Sequence, residues 1–224
     1  MEWRAFSFLS VLVISFGGVA GFRDELYGPR YKPLWEKDAK NKFTTTFGPA
    51  SIRNLIEGGG FMYENYTLRT EDDYLINLNR MIHPDKVGKK DKGYPILLLN
   101  GLFIQSEGWF VQKMMDSNLA PVWGALGYDV WSGDHRGTIR SKGHVTLDSD
   151  RDLEYWDHAT DEIGVHDTAA FIDFILQKTG NKDLVIVCVS FGCSMHSALI
   201  DARPKYNEKV KGAFYFNPLV NNIR

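Results

Sequence analysis

The alternation of apolar and polar residues predicts strands near the start of the globular region. Residues 61–69 and 74–82 each favour a strand, and alternate residues of the second share one face at a period of two. The acidic residues 71–73 between them are typical of a turn. The pair therefore predicts an antiparallel hairpin. By contrast, residues 22–57 show no clean period and predict irregular structure.

Four later runs are apolar on both faces, as in strands covered by helices on either side. They occupy residues 94–100, 128–131, 184–189 and 212–216. Helical patterns separate them, most clearly over residues 161–178. The succession of strand and helix predicts an α/β fold with a mostly parallel, doubly wound sheet behind the N-terminal hairpin.

The longest helical pattern has clear end signals. Asp161 and Glu162 begin it, where the helix dipole favours negative charge, and Gly180 follows it as a C-cap. His158 and His166 lie around this helix without the spacing of metal ligands, so we expect no metal site there.

The N-terminus has the layout of a secretory signal peptide. Arg4 precedes an apolar stretch over residues 5–16, and small residues follow up to Gly21. We expect residues 1–21 to be removed, which leaves residues 22–224 as a partial domain. No second long apolar run occurs, so no transmembrane segment is expected in the mature chain.

Charge excludes one class of partner. The formal net charge is −2, and basic residues are scattered apart from the short run Lys89, Lys90 and Lys92. Nucleic-acid binding therefore has no electrostatic footprint in this sequence.

Asn65 begins an N-glycosylation sequon, Asn-Tyr-Thr. A chain that enters the secretory pathway is expected to carry a glycan at this residue. The alternative is that its position in a strand hides the sequon.

A serine stands at the most informative turn of the chain. The apolar strand of residues 184–189 leads to Ser190, and a helix begins at once, which is the arrangement of a nucleophile elbow. Gly192 supplies a small residue where strand and helix approach closely. The N–H groups at the helix start are placed to bind a developing oxyanion. Taken alone, Ser-x-Gly after a strand is a weak signal, and a structural serine is the alternative.

Two cysteines flank this serine. Cys188 precedes it by two residues and Cys193 follows it by three. We expect both to be small core residues rather than a disulfide, because a strand end and the first turn of the next helix rarely align two Cβ atoms for bridging.

A second signal follows the strand of residues 94–100. Asn100-Gly101-Leu102 lies where α/β-hydrolases carry the other oxyanion N–H. An ordinary Asn-Gly turn is the alternative. Together with Ser190, the order and separation of these two sites favour the hydrolase interpretation.

Several longer motifs make the resemblance specific. They are Gly127–Gly137 (GYDVWSGDHRG), Ser141–His144 (SKGH), Tyr155–Asp157 (YWD), Asp161–Asp167 (DEIGVHD) and Ile172–Ile175 (IDFI). With the Asn100-Gly101-Leu102 loop, they resemble the acid lipase family, which includes gastric and lysosomal acid lipases. The similarity covers roughly residues 22–220.

The resemblance implies a secreted or lysosomal α/β-hydrolase that cleaves triacylglycerols or cholesteryl esters, at a lipid–water interface, through a serine acyl-enzyme. It implies no metal and no organic cofactor. By position, Ser190 resembles the nucleophile, and the backbone N–H groups of Leu102 and Phe191 resemble the oxyanion donors. The family usually has Gly-His-Ser-Gln-Gly over residues 188–192, and His-Gly where this chain has Asn100-Gly101.

The order of the triad in this fold is serine, acid, histidine. After Ser190 the sequence contains one histidine, His196, which is nearly two helical turns away and is expected to pack or to face solvent. Two interpretations stay open. The chain is a piece of a lipase cut off after its sixth strand, or it is a degenerate product that binds lipid or a partner without catalysis. We expect the former, because ending at Arg224 leaves an apolar strand near a bare sheet edge.

Overall fold

The computed structural model describes residues 51–90, 93–110 and 119–218. The predicted signal peptide lies outside these ranges. The strands are β1 (Met62–Arg69), β2 (Tyr74–Ile82), β3 (Pro95–Leu99), β4 (Asp129–Asp134), β5 (Gly143–His144), β6 (Leu184–Val189) and β7 (Val210–Phe216). The α-helices are α1 (Ile52–Gly58), α2 (Leu119–Ala125), α3 (Thr160–Glu162), α4 (Ala169–Thr179) and α5 (Phe191–Ala202).

The strands form one mixed sheet in the order β1-β2-β4-β3-β6-β7, with the short β5 paired to β2. β1 and β2 form the predicted hairpin, and β2 runs antiparallel to β4. The remaining neighbours, β4-β3, β3-β6 and β6-β7, are parallel. The predicted mostly parallel sheet behind an N-terminal hairpin is therefore confirmed.

Helices cover both faces of this sheet, as the two-sided apolar strands predict. On one face Leu97 belongs to a cluster that includes Phe171 of α4 and Leu199 of α5. On the other face the next residue, Leu98, packs in a cluster with Ile56 of α1. Since consecutive strand residues point to opposite faces, β3 is buried by helices from both sides.

The predicted helix over residues 161–178 is interrupted. A π-helical turn, Ile163–Thr168, separates α3 from α4. Gly164 in this turn lies so close to α5 that a Cβ there would be 2.6 Å from the carbonyl oxygen of Met195. The wider turn thus accompanies a close helix–helix contact that periodicity does not reveal. Gly180 has φ 73° and ends α4 in the left-handed conformation, as predicted.

Two boundaries differ from the sequence predictions. The irregular structure predicted for residues 22–57 is wrong for Ile52–Gly58, which is helical and buries only Ile52 and Ile56. That apolar stripe is too short to register as a period. β4 continues to Asp134 although its end is polar, because Ser132 and Asp134 find hydrogen-bond partners inside the protein.

Candidate active site

Ser190 occupies the junction between β6 and α5, with φ 50° and ψ −115°. A positive φ is uncommon for a residue with a side chain and persists only where the surroundings hold it. Two backbone hydrogen bonds hold this one: Ser190 N–H donates to Phe216 O at 2.9 Å, and Cys193 N–H donates to Ser190 O at 3.0 Å. The predicted sharp turn at the serine is present.

Gly192 lets the first turn of α5 reach the end of β3. A Cβ at this position would lie 2.5 Å from Leu99 O and 2.7 Å from Asn100 O. Real Cβ atoms do not approach backbone oxygens so closely. The glycine two residues after the serine is therefore required by the contact between helix and strand.

The expectation for the two cysteines is wrong. Cys188 and Cys193 form a disulfide, with their Cα atoms 5.0 Å apart. Both are fully buried, so the prediction that they belong to the core holds even though their pairing was missed. The sharp turn at Ser190 folds the start of α5 back over the end of β6, which brings the two Cα atoms into bridging range.

The Asn100-Gly101-Leu102 loop faces Ser190. A Cβ on Gly101 would lie 3.6 Å from the Ser190 Cβ, so the two segments are neighbours. Ile104 N–H donates to Gly101 O at 3.1 Å, which closes a tight turn around Leu102 and Phe103. Phe103 has φ 63° and is 92% exposed.

A buried carboxylate anchors both ends of this loop. At one end the Asn100 amide donates to Asp134 Oδ1 at 3.3 Å. At the other, the backbone N–H and the hydroxyl of Ser106 each donate to Asp134 Oδ1 at 2.8 Å. Asn79 of β2 adds a donor to Oδ2 at 3.1 Å. Burial raises the pKa of Asp134 to about 6.

This network was not predicted from the sequence. Its members come from β2, β4 and the loop, and the partners of Asp134 are separated from it by up to 55 residues along the chain. The one signal in the sequence is that polar residues, Ser132 and Asp134, follow directly after the apolar pair Val130 and Trp131.

The two predicted oxyanion donors lie on the two segments that meet at Ser190. Phe191 is the first residue of α5, where the helix leaves backbone N–H groups without intrahelical partners and the dipole is positive. Leu102 lies in the turn that follows Gly101. Among the described residues no hydrogen bond occupies the Leu102 N–H. This arrangement suits stabilisation of negative charge beside the serine hydroxyl.

His196 packs as expected and does not serve Ser190. Its Nδ1 lies 2.8 Å from the hydroxyl of Tyr215 on β7, and the side chain is 3% exposed. Burial lowers the pKa of His196 to about 4.

His135 is the described histidine whose ring contacts a residue next to Ser190. Its ring packs edge-on against Phe191, with centroids 5.4 Å apart, and its Nδ1 lies 2.8 Å from Arg136 O. Burial lowers the pKa of His135, so the ring is neutral near pH 7. Within the described ranges, the Ser190 hydroxyl has no hydrogen-bond partner.

Asn65 lies on the exposed edge strand β1. Its side-chain nitrogen donates to Asn77 Oδ1 at 3.0 Å and to Asn79 Oδ1 at 3.1 Å. The residue is nevertheless solvent-accessible, and the sequon Thr67 beside it is exposed.

Neither a metal site nor a membrane-spanning helix is present in residues 51–90, 93–110 and 119–218. No cluster of histidine, cysteine and acidic side chains there has the arrangement of a metal site. No helix in those ranges combines the length and apolarity that crossing a membrane requires.

Two protein-family models match this chain. Residues 52–113 match the partial alpha/beta-hydrolase lipase region, and residues 94–219 match the alpha/beta hydrolase fold. The second match covers more than half of the chain.

Curated relatives are lipases. The chain is 33% identical over 170 residues to lipase member M of Mus musculus, which covers 75% of this chain and 40% of the relative. It is 34% identical over 173 residues to the human lysosomal acid lipase/cholesteryl ester hydrolase, which covers 76% of this chain and 43% of the relative. The chain thus spans less than half the length of either relative.

Among solved structures, an esterase from Pyrococcus furiosus has a TM-score of 0.50 at 14% identity, covering 74% of this chain and 53% of that one. At this identity the likeness concerns the fold alone. The two family models and the lipase relatives together show that the chain belongs to the alpha/beta-hydrolase family and, within it, to the acid lipases.

Proposed function

We propose that the chain carries the nucleophile and the oxyanion donors of a secreted or lysosomal serine esterase that acts on neutral lipid esters. The observation that carries this proposal is the left-handed Ser190 at the β6–α5 junction, with the Gly101 turn directly beside it. Family membership supplies the reaction class, since the relatives are lipases.

The chemistry follows from the placement of these groups. The Ser190 hydroxyl oxygen attacks the ester carbonyl carbon, and the carbonyl oxygen becomes an oxyanion between the N–H groups of Leu102 and Phe191. Each donor contributes about 3 kcal/mol to lowering the barrier. The departing alkoxide takes up the proton that Ser190 gave up and leaves as the alcohol, and water then releases the acid from the serine acyl-enzyme and restores the Ser190 hydroxyl. No metal or organic cofactor is needed for these steps.

A base must take the serine proton for this sequence to run. In such triads a histidine does so, oriented by an acidic residue. His196 is bonded to Tyr215, and the described part of the chain places no histidine in hydrogen-bond contact with Ser190. We therefore assign the base and its acid to residues other than those described.

Neutral lipid esters are proposed as substrate for two reasons. One relative is named a cholesteryl ester hydrolase. In addition, three consecutive apolar side chains beside the nucleophile, Leu102, Phe103 and Ile104, are 45%, 92% and 43% exposed. Apolar surface at the mouth of the site suits an acyl chain or a lipid–water interface better than a charged substrate.

Secretion or delivery to the lysosome rests on the N-terminal signal pattern of residues 1–21. The buried Cys188–Cys193 disulfide is in keeping with an oxidising compartment. N-terminal sequencing of the mature protein is expected to begin near residue 21 or 22. A mature protein beginning at Met1 would contradict this route.

The test of the function uses the longest natural reading frame that contains residues 1–224. We expect it to hydrolyse emulsified triacylglycerol or cholesteryl ester, and Ser190→Ala to reduce the rate at least about 1,000-fold. A natural protein that hydrolyses neither ester, or that hydrolyses them equally well after the Ser190→Ala substitution, would overturn the proposal.

One alternative function has an observation in its favour. Val189 and Phe191 stand where the family usually has polar residues, which fits a lipase-like protein that binds lipid or a partner without catalysis. The two functions differ in what lies past Arg224 in the transcript. A downstream aspartate and histidine favour the enzyme, and a stop codon favours the binding protein.

A further inference from the structure

The disulfide encloses the nucleophile. Cys188 is the penultimate residue of β6, and Cys193 is the third residue of α5, so the covalent ring contains Ser190 and the residues on both sides of it. Both cysteines are fully buried. The ring therefore fixes the chain where it enters the turn and where it leaves.

Ser190 is the residue in this ring that needs such support. Its φ of 50° lies in a region that side chains rarely adopt. Among the described residues, the backbone hydrogen bond that restrains it from outside the ring runs from Ser190 N–H to Phe216 O of β7. A covalent link between Cys188 and Cys193 limits how far the turn can relax if that bond opens.

The length of the ring argues for a local role. Cross-links restrict the unfolded chain more as the enclosed loop grows, and here the cysteines are five residues apart. A bond placed for overall stability would join distant segments. This one joins the two ends of a single turn.

We propose that Cys188 and Cys193 are a positioning pair for the nucleophile, whose disulfide holds the Ser190 turn in the conformation that presents its hydroxyl. The role as a nucleophile rests on the proposed function. The restraint on the turn rests on the geometry alone, and neither cysteine takes part in the chemistry.

The first measurement asks whether the bond is present. The protein is expressed through the secretory pathway, unfolded, and alkylated with and without prior reduction. Its mass is then measured by mass spectrometry. No label is expected without reduction and two labels after it. Two labels without reduction would overturn the proposal.

The second measurement is hydrogen exchange on the Cys188→Ala/Cys193→Ala variant. The amides of residues 190 and 193, which are bonded to Phe216 O and Ser190 O, are expected to exchange at least about tenfold faster. The amides of Leu97 and Leu99 in the central strand β3 should change much less.

Val187→Ala is the matched control. Val187 is buried on the same strand but belongs to the cluster on the other face of the sheet. The Val187→Ala substitution removes a comparable side-chain volume and leaves the disulfide intact. If its variant loosens residues 190 and 193 as much as the cysteine variant does, the effect is general destabilisation and the proposal fails.

In the natural esterase, the double cysteine variant is expected to lower kcat about tenfold with KM nearly unchanged, and Val187→Ala to alter neither. Exchange needs no substrate, so it separates the two proposals. If the natural protein hydrolyses no ester but residues 190 and 193 exchange faster in the cysteine variant, the proposed esterase function is wrong and the proposed restraint on the turn stands. If the cysteine variant changes neither hydrogen exchange nor kcat, Cys188 and Cys193 are not a positioning pair, and the proposed esterase function stands.

Discussion

The nucleophile elbow and the loop from Asn100 to Ser106 meet at Ser190 and Gly101, yet they are held in different ways. The elbow is shaped by six consecutive residues: the Cys188–Cys193 bond closes the turn, and Gly192 lets it pack on the end of β3. The loop is fixed by Asp134, which lies about 30 residues away along the chain. Local backbone geometry therefore builds one half of the site, and long-range side-chain bonding builds the other.

The largest effect is expected from adding one methyl group to the elbow. Gly192→Ala places a Cβ within 2.5 Å of Leu99 O, and a backbone oxygen cannot move away as a side chain can. We expect a loss of about 3 kcal/mol in the free energy of unfolding, measured by urea denaturation.

Gly212→Ala on β7 is the control for that change. Nothing lies within 4 Å of a Cβ at this position, so a change within about 0.5 kcal/mol is expected. Equal effects of the two substitutions would show that the elbow is not closely packed against β3.

The loop is expected to respond to pH where the elbow does not. Burial raises the folded-state pKa of Asp134 from 3.8 to about 6, so the folded protein favours the neutral acid. Its contribution to stability is complete below about pH 4 and is lost as the pH rises through 6. Two pKa units correspond to roughly 3 kcal/mol.

The measurement compares the free energy of unfolding of the wild type with that of the Asp134→Asn variant at pH 4, 5, 6 and 7. Relative to the variant, the wild type should lose stability as the pH rises. The Arg140 guanidinium, 4.0 Å from the carboxylate, and the Tyr63 phenol keep their charge states over this range. Ser132→Ala, which removes a hydrogen bond but no titrating group, should show a constant difference. A constant difference for Asp134→Asn as well would contradict the assignment.

The two regions also differ in how far the sequence predicts them. The elbow is contiguous, so Ser190, Gly192 and the flanking strand and helix are all visible as a motif. The anchors of the loop are scattered, and only the fold brings Asn79 and Asp134 together. The disulfide was missed because the turn at Ser190 sets the distance between its cysteines, and spacing along the chain does not determine that distance.

A smaller effect is expected at the far end of the same hydrogen-bond network. When the protein passes through the secretory pathway, glycosidase treatment should increase its gel mobility, and Asn65→Gln should abolish the change. Asn65→Gln should also lower the free energy of unfolding by about 1 kcal/mol, because the Asn65 amide donates hydrogen bonds to Asn77 and Asn79.

Thr67→Ala separates these two consequences. It removes the sequon and leaves the Asn65 amide in place, so it should abolish glycosylation at little cost in stability. An unchanged mobility of the wild type after glycosidase treatment would count against the modification.

The most direct test of the account measures turnover of a short-chain chromogenic ester by the purified 224-residue chain, beside its Ser190→Ala variant. The described residues contain the proposed nucleophile and two oxyanion donors, and none of them places a base in hydrogen-bond contact with Ser190. A protonated serine is a poor nucleophile, so the two proteins should hydrolyse the ester at equal rates. A wild-type rate clearly above that of the variant would mean that a base within these residues serves Ser190, and His135, which packs against Phe191, would be the first side chain to replace.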